Sequence, residues 1–210
     1  VRIAEAKLRK IIREEIRKNF LHEAMYTPEK ASSIGLIFTV KRHNFGNGGY
    51  LITASFPGAS GPIGTVSISR SLGIGKCLGA YEVTSADTRI DGLGPLLYDI
   101  AMEVAGNAGI MSDRRLVSPE ARKVWNHYFK NRSDVQNSQL DSNPGTLTPS
   151  DDDDCQQVSS SFFVPDPERE AFASLRQGAD WVSSPLSKVY RKRGTPIIDK
   201  LRELNIISFV

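Results

Sequence analysis

The sequence predicts a mixed α/β domain of the α+β kind, with a mostly antiparallel sheet and helices on both faces. Three observations carry that prediction. Between Ile34 and Thr88 short β-rich runs alternate with glycine-marked turns. After Gly94 the apolar spacing changes to the helical period, with strong helix-start signals. Across 210 residues, 40% hydrophobic and 24% charged is ordinary globular composition, enough for a real core and unlike a disordered or collagen-like chain.

The elements follow in chain order. From Ile3 to Leu21, Leu8, Ile11, Ile12, Ile16 and Phe20 recur at three- and four-residue intervals. The other face is basic, with Arg2, Lys7, Arg9, Lys10, Arg13, Arg17 and Lys18 against Glu5, Glu14 and Glu15. This is an amphipathic helix, read either as packed on its own domain or as docking on a protein partner through residues 3–21. Strands are expected at Ile34 to Val40, Tyr50 to Phe56, Ile63 to Ser69 and Cys77 to Ser85, with turns at Asn47-Gly48-Gly49, Gly58 to Pro62 and Gly73 to Gly75. A helix opens at Gly94-Pro95 and runs to about Asn107, Ile110 to Ser112 is a short strand, and Ser118-Pro119-Glu120 starts a helix through about Lys130. Serine as N-cap, proline at the first helical position and an acid near the positive helix end agree on that start.

Residues 131–161 form a polar loop rich in Ser, Asn, Gln, Asp, Pro and Gly, ending in the acid run Asp151 to Asp154. Residues 162–210 read as a C-terminal extension packed on the core. It comprises a strand at Phe162 to Val164, helices started by Asp166-Pro167, Ser184-Pro185 and Thr195-Pro196, and a closing strand at Ile206 to Val210. The basic cluster Lys188, Arg191, Lys192 and Arg193 is expected at a helix C-terminus, where it complements the dipole. The organisation is therefore 1–30, an N-terminal helix and linker; 31–130, the core; 131–161, the loop; and 162–210, the extension.

Several function classes fall away. A formal net charge of +3 does not imply a nucleic-acid partner. Two cysteines, Cys77 and Cys155, build no disulfide framework, and no Cys-x-x-Cys or paired-His spacing offers a metal site. The four adjacent aspartates lack the alternating ligands and glycine turn of an EF-hand. No apolar run spans a bilayer and no signal-peptide core is present, so the expectation is a cytoplasmic protein with no membrane partner. His22, His43 and His127 are dispersed and read as structural or exposed, and Asp113-Arg114-Arg115 as an ion-paired loop or an anion contact.

Chemistry concentrates at Glu82 to Leu97, which reads EVTSADTRIDGLGPLL: a β-run, a polar turn, then two glycines at a helix start. The first N–H groups of a helix lack internal partners and the macrodipole is positive there, so such a turn favours an anion. Gly92 and Gly94 let backbone come close, and Arg89 adds a full positive charge. Neither Gly-x-x-x-x-Gly-Lys-Ser/Thr nor a βαβ-embedded Gly-x-Gly-x-x-Gly is present, so nucleoside triphosphate and dinucleotide readings drop.

Arg89-Ile90-Asp91-Gly92-Leu93-Gly94 resembles the Arg/Gln-x-x-Gly-x-Gly/Ala signature of the GNAT N-acetyltransferase superfamily, over about Ile34 to Lys130. The resemblance implies a splayed sheet in which a fifth strand parts from the fourth, with acetyl-CoA as cosubstrate. It implies that Arg89, Ile90, Asp91, Gly92, Leu93 and Gly94 surround the pyrophosphate and that Val83, Thr84 and Ser85 offer backbone groups to the pantetheine arm. The implied reaction is attack of an amine, whose identity the sequence does not encode, on the thioester. Glu82 is the candidate base, against the alternative of a surface carboxylate, and Tyr81 points to the opposite face of its strand. The family's later helix often reads Asn-x-x-Ala with a tyrosine acid four residues on. Here Ser118-x-x-Ala121 is followed by Trp125, so Tyr128 is the acid candidate. The alternative reading is a catalytically weak GNAT-like binding or assembly module. In that reading it could be a bacteriophage virion-associated protein docked through its N-terminal helix, because Leu-Arg-Lys-Ile-Ile-Arg-Glu-Glu is similar to openings of tailed-phage proteins.

Overall fold

The computed structural model describes residues 25–44, 48–71, 79–112, 117–140 and 185–210. They form one mixed sheet of eight strands: β1 (Ile37–His43), β2 (Gly49–Ser55), β3 (Gly64–Arg70), β4 (Tyr81–Thr88), β5 (Ile110–Ser112), β6 (Val135–Gln139), β7 (Lys188–Lys192) and β8 (Ile207–Phe209). The spatial order is β6-β7-β5-β4-β3-β2-β1-β8. Only β4 with β5 and β1 with β8 run parallel; the other neighbours are antiparallel.

Four α-helices accompany the sheet: α1 (Pro28–Ser33), α2 (Leu93–Ala105), α3 (Pro119–Asn131) and α4 (Pro196–Glu203). Local chemistry sets their starts. The Lys30 N–H donates to the Thr27 side chain at 3.2 Å and the Ala121 N–H to the Ser118 hydroxyl at 3.1 Å, while proline stands at the start of α1, α3 and α4, where its missing N–H costs nothing.

The strands alternate as a one-faced sheet requires. Phe38, Val40, Ile52, Ala54, Val66 and Ile68 are at most 1% exposed and share one cluster with Ala31 of α1, the apolar residues of α2, Trp125 and Tyr128 of α3, and Ile198 and Leu201 of α4. Among the described residues the helices thus cover a single face, where helices on both faces were expected. On the other face the rank Ser208, Thr39, Thr53, Thr65, Asp87 crosses five strands and is polar, while at β5 and β7 that face carries a second, smaller buried cluster of Met111, Val189, Ala80 and Leu140.

Strands β1 to β5 and helices α2 and α3 fall near their expected positions, β5 to the residue and β4 displaced to Tyr81–Thr88 from the expected Cys77 to Ser85, whereas α1 was not expected and crosses the boundary drawn at residue 30. Three later features depart from expectation. Residues 135–139, expected within the polar loop, form edge strand β6. The helix expected from Ser184-Pro185 is instead a short 3-10 turn, Pro185–Ser187, followed by β7. The basic cluster consequently lies on and beside a strand, with Lys192 buried, and not at a helix C-terminus. Because β7 lies between β5 and β6 and β8 pairs with β1, the described part of the C-terminal segment completes the same sheet as residues 31–130. The expected N-terminal helix 3–21, the turn at Gly73 to Gly75, the strand at Phe162 to Val164 and the helix at Asp166-Pro167 lie outside the described residues. Among the described residues no helix is long and apolar enough to cross a membrane.

Candidate functional site

The sheet forks at its centre. β4 pairs with β5 only through Tyr81↔Ile110, Glu82↔Met111 and Val83↔Ser112, yet continues along β3 to Thr88. From Thr84 onward its second edge has no strand beside it among the described residues. The fork coincides with a register shift: Ser67 stands opposite Ser85 but Ile68 opposite Val83, leaving Thr84 as the extra residue of a β-bulge, its hydroxyl donating to the Ser67 carbonyl at 3.3 Å. A bulge turns backbone groups out of the ladder and bends the strand, and here it does so where β4 and β5 separate.

A cleft of about 220 Å³ opens at this point. One wall is residues 83–86 of β4; the others are Tyr98 of α2 and, from the start of α3, Ser118, Ala121 and Trp125. Trp125 is 1% exposed and wedged among three tyrosines, with ring centroids 5.3 Å from Tyr98 in a T-shape, 6.5 Å from Tyr128 and 5.1 Å from Tyr190.

The glycine turn leads from the outer end of this wall. Arg89 N–H donates to the Ile63 carbonyl at 2.8 Å and Leu93 N–H to that of Ile90 at 3.3 Å. Gly92, the N-cap of α2, has φ +81, a left-handed conformation that strains any residue with a Cβ. Its carbonyl accepts from the Tyr26 N–H at 3.1 Å. No side chain caps α2 and no acid occupies its first turn. A Cβ on Gly94 would meet nothing within 4 Å, whereas one on Gly64 would lie 3.0 Å from Leu93 Cδ2 and Leu97 Cδ1. Glycine at 64 therefore lets the first turn of α2 lie directly on β3.

Beneath the cleft α2 is held by ionic contacts. Arg132 Nη1 and Nη2 donate to the Asp99 carboxylate at 3.2 Å, and Arg132 Nε to Asp134 at 2.7 Å. Arg132 lowers the Asp134 pKa, chiefly by its hydrogen bonds. Lys192 Nζ lies 2.9 Å from Glu103 Oε1.

The residues singled out from sequence are distributed as follows. Val83, Thr84 and Ser85 line the cleft, and Arg89, Ile90, Asp91, Gly92, Leu93 and Gly94 form the turn into α2. Leu93 is buried and its N–H donates within the turn, to Ile90. Glu82 is half-buried in the sheet opposite Ser69 and Met111 and is not part of the cleft wall. Tyr128 is fully buried and outside that wall; its hydroxyl is shared between the Pro95 carbonyl at 2.8 Å and Asp99 Oδ1 at 3.1 Å. Burial first, and the Asp99 charge second, push its pKa well above the ordinary phenol value. One helical turn beyond the expected position thus places the phenol in the core. His43 is half-buried on β1 and His127 half-buried on α3. His22, both cysteines and Asp113-Arg114-Arg115 lie outside the described residues. Among the described residues no group of three or more His, Cys, Asp or Glu could hold a metal ion.

Sequence reasoning passed over Tyr98. The line Leu97, Ala101, Val104 marks the buried stripe of α2, and its neighbour at 98 gave no periodic signal of facing a cleft. Comparison with protein-family models, curated proteins and solved structures finds no significant match to this chain.

Proposed function

We propose that the forked sheet binds acetyl-CoA and that the protein transfers its acyl group to an amine, as the GNAT resemblance implies. The observation that carries this reading is the separation of β4 from β5 after Val83, with a cleft at the point of separation. Its position in the chain supports it as well. Four antiparallel strands lead to the Arg-x-x-Gly-x-Gly turn, a helix follows, the next strand parts from the fourth, and a further helix closes the cleft.

The chemistry follows from these parts. A pyrophosphate at the uncapped start of α2 gains from the positive end of the helix dipole, with Arg89 supplying charge. An extended pantetheine arm, itself rich in amides, can pair with the open edge of residues 84–86. A thioester at the fork then meets the bulge at Thr84, where out-of-ladder backbone N–H groups suit a developing oxyanion. Glu82 lies in the preceding ladder position on the opposite sheet face, so an amine entering from that face has a carboxylate near its proton.

Isothermal calorimetry with acetyl-CoA tests the proposal. Gly94→Glu is the variant of choice: the site has room for a side chain and an acid at a helix start does not harm the helix, whereas Gly92→Glu would strain the backbone. Measurable binding that Gly94→Glu abolishes supports the reading; no binding by the native chain overturns it. The burial of Tyr128 and the presence of Trp125 favour a second reading, an acyl-CoA-binding module with little turnover. A thiol-release assay over mixed amines separates the two.

A further inference from the structure

Arg132, Arg191 and Lys192 all have partners in the fold. Arg132 holds the Asp134 carboxylate through two parallel bonds, from Nε and from Nη2, each 2.7 Å long. Arg191 donates from Nε to the Asn107 carbonyl and from Nη1 to the Ser138 hydroxyl, both at 2.8 Å, and Lys192 pairs with Glu103. Arg122, in the first half of α3, is different. Its Nε and Nη2 are sealed from solvent, and neither has a hydrogen-bond partner among the described residues. No acid reaches it along its own helix, because the residues three and four positions away are Ser118, Pro119, Trp125 and Asn126. A guanidinium that has given up water for no anion is costly to hold in a fold, and such an orphaned group calls for a cause.

The two orphaned donors are a matched pair. Nε–H and Nη2–H form one side of the guanidinium fork and point at two oxygens in a single plane; it is the side with which Arg132 grips Asp134. Its surroundings give the pair a place. Ser118, one turn before Arg122, and Trp125, one turn after, both line the cleft, so Arg122 stands on the flank of α3 beside that wall without forming part of it. The residue as a whole is half-buried, which puts its head just beneath the surface. We infer that Arg122 holds an oxyanion, the carboxylate or phosphate group of a small ligand, on its Nε and Nη2 edge beside the cleft. The anion supplies the charge that the fold omits, and two parallel bonds fix its orientation as well as its position. Lysine, a point charge, has no such edge. Neither the fork of the sheet nor the glycine turn enters this inference, so it stands apart from the acyl-CoA reading.

Thermal denaturation of the full chain in chloride, acetate and inorganic phosphate at equal ionic strength tests this, with Arg122→Met and Arg122→Lys beside the native protein. In chloride Arg122→Met should melt no lower than the native chain, because it removes an uncompensated charge and keeps the apolar stem. Acetate or phosphate should raise the native midpoint along a saturating curve, by about 3–5 °C at ten times the Kd. That rise is counted over whatever Arg122→Met shows, which reports the general effect of the salt. Arg122→Lys should recover little of it. A rise with either anion supports the inference, and the larger one names the ligand group. Equal rises in the native chain and in Arg122→Met overturn it, since no anion is then held by this side chain. A drop of several degrees for Arg122→Met in chloride also overturns it, by showing that the arginine already has its partner within the fold. A full rise in Arg122→Lys removes the two-pronged edge and leaves a simple point charge.

Discussion

Lys192 Nζ on β7 stands 2.9 Å from Glu103 Oε1 on α2, and both side chains are sealed from solvent, at 2% and 0% exposure. The same carboxylate accepts the Ile197 and Ile198 N–H groups at 3.0 and 2.8 Å, capping α4 from outside, since the Thr195 side chain does not cap it. One buried acid therefore joins α2, β7 and α4. Asp99 and Asp134 lie 3.9 and 3.8 Å from the same ammonium, so Lys192 answers a local excess of acid.

Breaking that pair should be costly. Glu103→Leu or Lys192→Met leaves a buried charge short of its partner, a change worth about 3–5 kcal/mol, and Glu103→Leu also uncaps α4 at about 1 kcal/mol. In urea denaturation the double variant should lose clearly less than the sum of the single losses. Additive losses would show that the two groups do not act as a pair.

Gly64→Ala tests the close approach of α2 to β3. Its Cβ would sit 3.0 Å from two leucine methyls that are themselves buried, so those side chains must give by a few tenths of an ångström in a packed core. The expected loss is about 1–2 kcal/mol, as for modest overpacking of a core. Because the glycine turn opens that helix, the proposed site predicts that acetyl-CoA affinity falls with it. An alanine variant as stable as the native chain would mean that the contact has slack.

Alkali should unfold the protein through its buried phenols. Tyr98 is pushed up to about 12 by burial, and Tyr128 and Tyr190 are also raised by burial. Raised folded-state values mean that their contribution is complete below the ordinary phenol pKa of about 10 and is lost as pH rises toward the folded values. Tyrosinate absorbance near 295 nm should therefore show a late fraction that appears together with loss of circular dichroism. Ionisation of every tyrosine ahead of unfolding would contradict the burial of these rings.

Much of the fold was legible locally. Ser118-Pro119 specified the start of α3 because a hydroxyl and a fixed φ satisfy a helix end whatever lies nearby. Isoleucine, methionine and serine after Gly109 specified β5 for a comparable reason of short-range pattern. The run Lys188-Val189-Tyr190-Arg191-Lys192 misled because its charges suggest a solvated surface. It enters the sheet between β5 and β6, with Glu103 and Asp99, some ninety residues earlier, facing Lys192. At the site, the glycine turn could be read, whereas the choice between phenols could not. Tyr128 and Tyr98 differ in which way their helices are rolled, and a sequence does not carry that roll.

By itself, then, the chain's sequence determined what backbone sterics and capping decide within a few residues: the β-runs before Thr88, the left-handed turn at Gly92 and the proline-led helix starts. Tertiary structure alone decided at which residue β4 and β5 part, that a basic segment enters the sheet and that Tyr98 meets the cleft while Tyr128 does not. Those outcomes depend on pairings between distant segments, where the energy of a contact exists only once both partners have been brought together.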